Sequence, residues 1–433
     1  MKRKPILLAF VLVLVLALAM LAVACGGETT TSTGAVTTAA PGSSATAAPS
    51  TETTGTTVAA KPLRIGTSLP LTGSRSVPGE FEKQGYEVWA DLINAKGGLL
   101  GRPVELVIKD DASDQDIIVA DYNALISQDK VDLLLGTFSS LLVLPSSAVA
   151  EKNNMLYITP AGLSPKIYER GFTKVFCSQQ ALAPDAGKVW ANYIAGLPAD
   201  QRPKTAAYPT LDDPFVSPVI DGIRTILEAA GVKTVYTTTY PEGTTDFDSI
   251  VNAMVAAKPD LVAQGALFDD GIAVIRGFLK AGFKPAWLYQ TTAPGQGKQY
   301  SDGAGIENTE GIFYHVSYAE PAKTPGNAEF VKRYHEMFGP DPIAEDVADA
   351  YAAGEVLAAA VTAVGSLDQT KLADYLHTNG VQTILGVLSW DAKGIPTGEM
   401  MIGQWQAGVV QVVLPAEAAT TSNIVQGWKP GTK

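Results

Sequence analysis

The sequence predicts an α/β protein of two lobes, each built on a parallel sheet. Three observations carry this. Short β-branched runs alternate with amphipathic stretches of helical length, and strands separated by helices must run parallel with right-handed crossovers. The alternation restarts after Pro184, so there are two separate runs. Finally, 433 residues exceed one ordinary core, while 46% apolar residues suffice to bury two.

In order, Leu63-Arg64-Ile65-Gly66-Thr67-Ser68-Leu69 is the first strand. Phe81, Val88, Trp89, Leu92 and Ile93 recur at helical spacing and give one apolar stripe on a helix ending at Asn94-Ala95-Lys96. Gly97-Gly98-Leu99-Leu100-Gly101 accepts positive φ, so the chain reverses there. Val104 to Lys109 is the second strand and stops at Asp110-Asp111; Asp114 to Gln128 is a helix; Val131 to Gly136 and Met155 to Thr159 are strands three and four. In the second run, helices over Ala186 to Ala195, Pro214 to Ala230, Phe247 to Ala257 and Asp269 to Ala281 alternate with strands. The strands are Thr205 to Tyr208, Thr234 to Tyr240, Asp260 to Ala266 and Ala286 to Thr291. Gly311 to His315 is a further strand, followed by helices over Asn327 to Phe338, Ala344 to Val364 and Thr370 to Leu376. Gly386 to Trp390, Met400 to Trp405 and Val409 to Leu414 close the chain with hairpin-like spacing.

The N-terminus has a different character. Met1-Lys2-Arg3-Lys4 and the apolar run Ile6 to Ala24 have the layout of a secretory signal over residues 1–24, so the chain is expected to be exported. Leu21-Ala22-Val23-Ala24-Cys25-Gly26 resembles a lipobox, with Ala22 where leucine is usual. Lipidation of Cys25 is expected; ordinary signal-peptidase cleavage after Ala24 and an uncleaved anchor are the alternatives. More than one acyl chain makes such attachment stable, at about 0.8 kcal/mol per buried methylene. Residues 25–61 are mostly Thr, Ser, Ala, Gly and Pro, a composition that cannot order itself. As a flexible stem they reach about 30 to 35 Å. The net charge of -12 argues against nucleic acid as a partner. Cys177, the only other cysteine, reads as a buried strand thiol.

Several segments carry a family resemblance: Leu69-Pro70-Leu71-Thr72-Gly73-Ser74, Ile93 to Leu106 through the glycine turn, Asp110-Asp111 and Ile158-Thr159-Pro160-Ala161. Together these resemble the branched-chain amino acid binding proteins of ATP-driven importers, of periplasmic binding protein type I. The resemblance implies two Rossmann-like lobes joined by a three-segment hinge near Gln180, Asn308 and Gly380. It assigns residues 62–180 and 312–378 to the first lobe, 181–311 and 379–415 to the second, and leaves 416–433 as a tail. It also implies a monomer that takes a small-molecule ligand, delivers it to ABC transporter permease subunits and needs no cofactor.

Reactive groups are sparse. His315, His335 and His377 are far apart and lack the spacing of a zinc motif; no nucleophile elbow, phosphate loop or dinucleotide fingerprint occurs, so neither a metal nor catalysis is expected. Asp110-Asp111, Asp212-Asp213 and Asp269-Asp270 at predicted strand ends read as helix caps or loops. Gly136-Thr137-Phe138-Ser139-Ser140 is different, since it joins a strand's C-terminal end to a helix start, where free amides and hydroxyls converge on an acceptor. From the residues alone, Ser139 and Ser140 read as a plain helix cap in preference to a ligand site. The resemblance implies that Ser140 binds a carboxylate and that Ala161, Gly162 and Leu163 line the ligand, with Phe138 and Thr292 beside it and Phe215 and Phe268 as aromatic walls from the second lobe. Leu163 replaces the family's hydroxyl residue, and no glutamate stands near Thr291-Thr292 to receive an α-ammonium. A carboxylate, amide, aromatic acid or amino-acid-like ligand is therefore expected over a standard zwitterionic amino acid. A sensory ectodomain and an exported hydrolase are the competing readings; the first would require a membrane segment after the domain, the second a nucleophile paired with a base.

Overall fold

The computed structural model describes residues 61–431; the signal sequence, Cys25 and most of the stem lie outside them. Among the described residues the first lobe begins with β1 (Leu63–Leu69), α1 (Ser76–Ala95), β2 (Val104–Asp110), α2 (Gln115–Ser127) and β3 (Leu133–Leu135). It continues with α3 (Ser140–Lys152), β4 (Tyr157–Thr159), α4 (Pro165–Tyr168) and β5 (Val175–Cys177). The sheet order is β2-β1-β3-β4-β5, parallel throughout. Cys177 is buried and free on β5, and burial pushes its thiol pKa up.

The second lobe follows with α5 (Ala183–Ala186), α6 (Lys188–Ala195), β6 (Thr205–Leu211), α7 (Val216–Ala229), β7 (Lys233–Tyr240) and α8 (Asp248–Ala257). Next come β8 (Leu261–Gln264), α9 (Asp269–Ala281), β9 (Trp287–Gln290), α10 (Gly297–Ala304) and β10 (Phe313–Val316). The chain then returns to the first lobe with α11 (Asn327–Phe338), α12 (Glu345–Val364), α13 (Gln369–Thr378) and the hairpin β11 (Val381–Thr383)/β12 (Gly386–Leu388). It ends in the second lobe with β13 (Met401–Gln406) and β14 (Val409–Leu414). The second sheet runs β14-β13-β10-β9-β8-β6-β7, with β13 and β14 antiparallel.

Three boundaries differ from expectation. β10, expected to begin the return at 312, pairs in parallel with β9 and belongs to the second sheet. Residues 379–390, expected in the second lobe, pack into the first: Val381, Ile384, Leu388 and Trp390 share its core with α1 and α12. Residues 416–431 are no detached tail, because Trp428 is buried against Phe278 and its Nε1 donates to Asn308 O at 2.7 Å. The crossings therefore lie near Gln180, Ser317 and Gly398 rather than Gln180, Asn308 and Gly380. They are joined side by side: Gln180 Nε2 donates to Ser317 O at 2.8 Å, and Gly398 N to Gln180 O at 2.8 Å. A triple crossing of this kind bends while resisting twist.

α12 is apolar and long enough to cross a membrane, yet two-thirds of its apolar window is buried against the first lobe, so it is a core helix. It lies against α1 at close range because glycines stand at the contact. A Cβ on Gly85 would sit 2.2 Å from Val347 O, and one on Gly354 2.3 Å from the Trp89 ring.

Candidate functional site

The loop after β3 is fixed from below. Tyr122 Oη donates to Leu135 O at 2.6 Å, Thr67 Oγ1 and Tyr86 Oη to Gly136 O at 2.7 and 3.1 Å, and Thr159 Oγ1 to Thr137 O at 3.2 Å. Held this way, the chain enters α3 through Ser139 at φ 72°, ψ 143°, a conformation costly for any residue but glycine, on the order of 1–3 kcal/mol. Ser139 does not cap the helix: its side chain makes no cap bond, and its Oγ has no hydrogen-bond partner among the described residues. Ser140 Oγ accepts from Ser164 N at 3.0 Å, tying the β3 loop to the loop after β4. The first amides of α3 have no acceptor within the helix and carry the positive end of its dipole.

These residues face a cavity of about 40 Å³ between the lobes. Phe138, Ser139, Ser140, Ala161, Gly162 and Leu163 line it from the first lobe, and Phe215 and Thr292 from the second. Thr292 Oγ1 is also without a hydrogen-bond partner among the described residues. Phe268 is the exception and a correction: it sits at the start of α9 and lines a separate surface hollow with Ile272 and Arg276. Leu267, one residue earlier, takes its place in the cavity because the turn into α9 aims successive side chains apart. His315 closes the base, its ring 5.6 Å from that of Phe215 in an edge-on contact, with Nδ1 2.9 Å from Tyr289 Oη. Burial lowers the His315 pKa to about 4, so the ring is neutral at physiological pH.

Three carboxylates that sequence reasoning missed also reach the cavity: Asp213, Glu345 and Asp346. Asp213 follows β6 and caps α7, its Oδ1 accepting from Phe215 N at 2.8 Å and Val216 N at 3.1 Å. Its Oδ2 makes no hydrogen bond, although Arg75 Nη2 lies 3.8 Å away. Burial raises its pKa; the two amide bonds and Arg75 oppose the rise. Asp346 accepts from Gln296 Nε2 of the other lobe at 2.7 Å, and Glu345 accepts from Ser317 N at the hinge at 3.2 Å. The carboxylate lining removes the ground for disfavouring an ammonium-bearing ligand. That expectation looked for an acid only near Thr292, whereas the acids come from the start of α7 and the start of α12.

Across one side of the gap the lobes are pinned together. Arg75, before α1 and 2% exposed, donates from Nη1 and Nη2 to Glu242 beyond β7 at 2.6 and 2.9 Å, and Ser74 Oγ donates to the same carboxylate at 2.8 Å. Partial burial works against ionisation of Glu242, but the Arg75 hydrogen bonds and charge hold its pKa below the usual range.

The remaining acidic pairs are structural. Asp110 accepts from Leu71 N, Thr72 N and Thr72 Oγ1, tying β2 to the loop after β1, and Asp270 accepts from Tyr240 Oη at 2.7 Å. His335 bonds Gly339 O and Glu320, and His377 bonds the carbonyls of Asp391 and Thr173. Among the described residues no group of three or more His, Cys, Asp or Glu is placed to hold a metal.

Comparison with known proteins agrees with this architecture. A Pseudomonas aeruginosa protein named amino acid binding protein is 28% identical over 345 residues, covering 79% of this chain and 89% of its own. The Leu/Ile/Val-binding protein homolog 2 of Brucella abortus is 29% identical over 354 residues, covering 80% and 91%. Among solved structures, the leucine-binding protein LivK of Thermotoga maritima superposes with a TM-score of 0.71 at 23% identity, covering 81% of this chain and 97% of its own. A solute-binding protein of an R. palustris ABC transporter, solved in complex with benzoate, superposes with a TM-score of 0.72 at 20% identity over 86% and 99%. The profile of the periplasmic binding protein family matches residues 62–409, most of the chain. With two doubly wound lobes, a triple hinge and a cavity at the strand ends between them, the chain belongs to the periplasmic binding protein family.

Proposed function

We propose that this protein is the extracytoplasmic solute-binding lipoprotein of an ATP-driven importer, that it captures an α-amino acid between its lobes, and that it hands the ligand unchanged to a membrane permease. The observation that carries the reading is a pair of opposite demands in one cavity. Ser139, Ser140 and the amides opening α3 call for an acceptor such as a carboxylate. Asp213 Oδ2, buried and without a hydrogen bond, calls for a donor such as an ammonium. A zwitterion satisfies both ends. A simple acid would meet the first and leave Asp213 Oδ2 without a donor. Relatives named for leucine, isoleucine and valine support the amino acid, and the benzoate complex of a structural neighbour makes an aromatic acid the comparison to run. Export follows from the leader, and Cys25 with its stem gives the tether.

Mass spectrometry of the ligand carried through native purification, then calorimetry with L-alanine, L-leucine and benzoate, tests the proposal. Micromolar binding of an amino acid, about -8 kcal/mol, is expected. D213N should weaken it at least tenfold. Benzoate binding alongside silence from every amino acid would overturn the reading.

A further inference from the structure

The seam where the start of α12 meets the second lobe is rich in acceptors and poor in donors. Glu345 presses on the backbone of the short helical turn Ala293–Gln296 so closely that a Cβ on Gly295 would lie 2.2 Å from its Oε1. Its Oε2 accepts from Ser317 N at the crossing, and Asp346 accepts from Gln296 Nε2 across the seam at 2.7 Å. One helical turn on, Asp349 accepts from Gln179 Nε2, beside the first crossing, at 2.5 Å. Glu82 of α1, 1% exposed, lies close enough to Asp346 and Asp349 for their charges to act on it. Both Glu82 carboxylate oxygens, Asp349 Oδ1 and Gln296 Oε1 are buried without a hydrogen-bond partner among the described residues.

Among the described residues no lysine, arginine or histidine pairs with Glu82, Glu345, Asp346 or Asp349. Arg75 is engaged by Asp213 and Glu242, and Lys298, which shares a surface hollow with Glu345, by Asp302. The other titratable groups facing the start of α12 are Tyr314, the neutral His315 and Asp213, with Asp111 beside Glu82. Burial holds the four acids above the usual carboxylate range, Asp346 at about 7, and repulsion within the cluster adds to it for Glu82, Glu345 and Asp349. Protons on these groups neutralise the cluster and supply the missing donors. Parting the lobes returns Asp346 and Glu345, which touch the facing lobe, to water, where a carboxylic acid ionises near pH 4.

We infer that closure of the lobes takes up protons: Asp346 and Glu345 seal the seam as neutral acids, and their ionisation lets the lobes part. The closed form keeps a proton on Asp346 over a range where the open form has lost it. Closure is therefore favoured fully below about pH 4 and loses ground as pH rises through about 7, by up to about tenfold in the closed-to-open ratio per pH unit. Glu242 does not set this response, because Arg75 keeps its pKa below the usual range and it stays ionised across that window. Asp111, Asp270 and Glu355 titrate within or near it, but each is bonded inside a single lobe, to Ser113 N, Tyr240 Oη and Ile384 N.

The test is small-angle X-ray scattering of the full mature chain, stripped of ligand, from about pH 5 to 8 at fixed ionic strength, with circular dichroism confirming that it stays folded. It is repeated with D346N and with E345Q/D346N, whose amides keep an acceptor oxygen and carry N–H donors in place of the acid proton. The radius of gyration of the wild type should rise with pH across this range. The double variant should stay at the wild type's low-pH value throughout, with D346N between the two. A wild-type radius that is constant, or that falls as pH rises, overturns the inference without recourse to any variant. A double variant that opens in step with the wild type overturns it as well. Because no ligand is present, each of these outcomes leaves the head-group reading untouched.

Discussion

Asp346 shows how one residue sets a pH response. It is buried at the start of α12, and burial pushes its pKa up to about 7, against about 3.9 in an unfolded chain. The folded state thus keeps this proton longer than the unfolded state does. The group's stabilising contribution is complete below about pH 4 and is lost as pH rises through about 7, by at most about 1.4 kcal/mol per unit. D346N should remove that dependence: the difference in urea unfolding free energy between wild type and variant should change between about pH 4 and 7 and level off above. Parallel pH profiles would contradict it. Asp213 illustrates the limit of sequence reading at this scale. Asp212-Asp213 after a strand looks like a solvated cap, and Asp213 does cap α7, but a carboxylate has two oxygens and only one is used for capping. Which oxygen faces a cavity depends on the other lobe, invisible in local sequence. The serine loop was legible because its signal is local: a strand end, a short loop and a helix start in sequence.

The elements were legible for a similar reason, and their partners were not. The stripe of Phe81, Val88 and Trp89 announces a helix, and β1, β2, β6 and β9 follow from β-branched or aromatic runs. β10 was recognisable as a strand, but nothing in Phe313-Tyr314-His315-Val316 says which sheet it joins; that follows from pairing with β9 on one side and β13 on the other. Likewise Phe268 and Leu267 are equally apolar, and only the turn into α9 decides which reaches the cavity. The α1/α12 contact gives a test of packing at this scale. In isolation Ala stabilises a helix by about 1 kcal/mol over Gly. G85A and G354A would each force atoms to within 2.2–2.3 Å, so the helices must separate. Net destabilisation of about 1–3 kcal/mol in urea melts is expected, and a stabilised variant would show that the approach is looser than described.

At the scale of the whole molecule, closure is a balance between the hinge and the contacts across the gap. Arg75 with Glu242 is the most direct of these, though the Glu242 side chain is 41% exposed, so solvent screening discounts it to the order of 1 kcal/mol. R75A should enlarge the radius of gyration of the ligand-free protein in X-ray scattering, lessen its salt dependence and speed ligand release about fivefold. An unchanged scattering profile would mean that the lobes are held by other contacts. The proposed tether has its own test: C25S should move the protein from the membrane fraction to the medium, whereas retention would point to an uncleaved leader. The triple crossing also bears on biogenesis. The apolar face of α1 is covered by α12, more than 240 residues later in the chain. During export the amino-terminal half therefore emerges with its core unroofed, and neither lobe can finish until almost the whole polypeptide has cleared the translocation channel. Secretion of this protein should accordingly depend on holding chaperones, and nascent chains stalled before α12 should be open to protease.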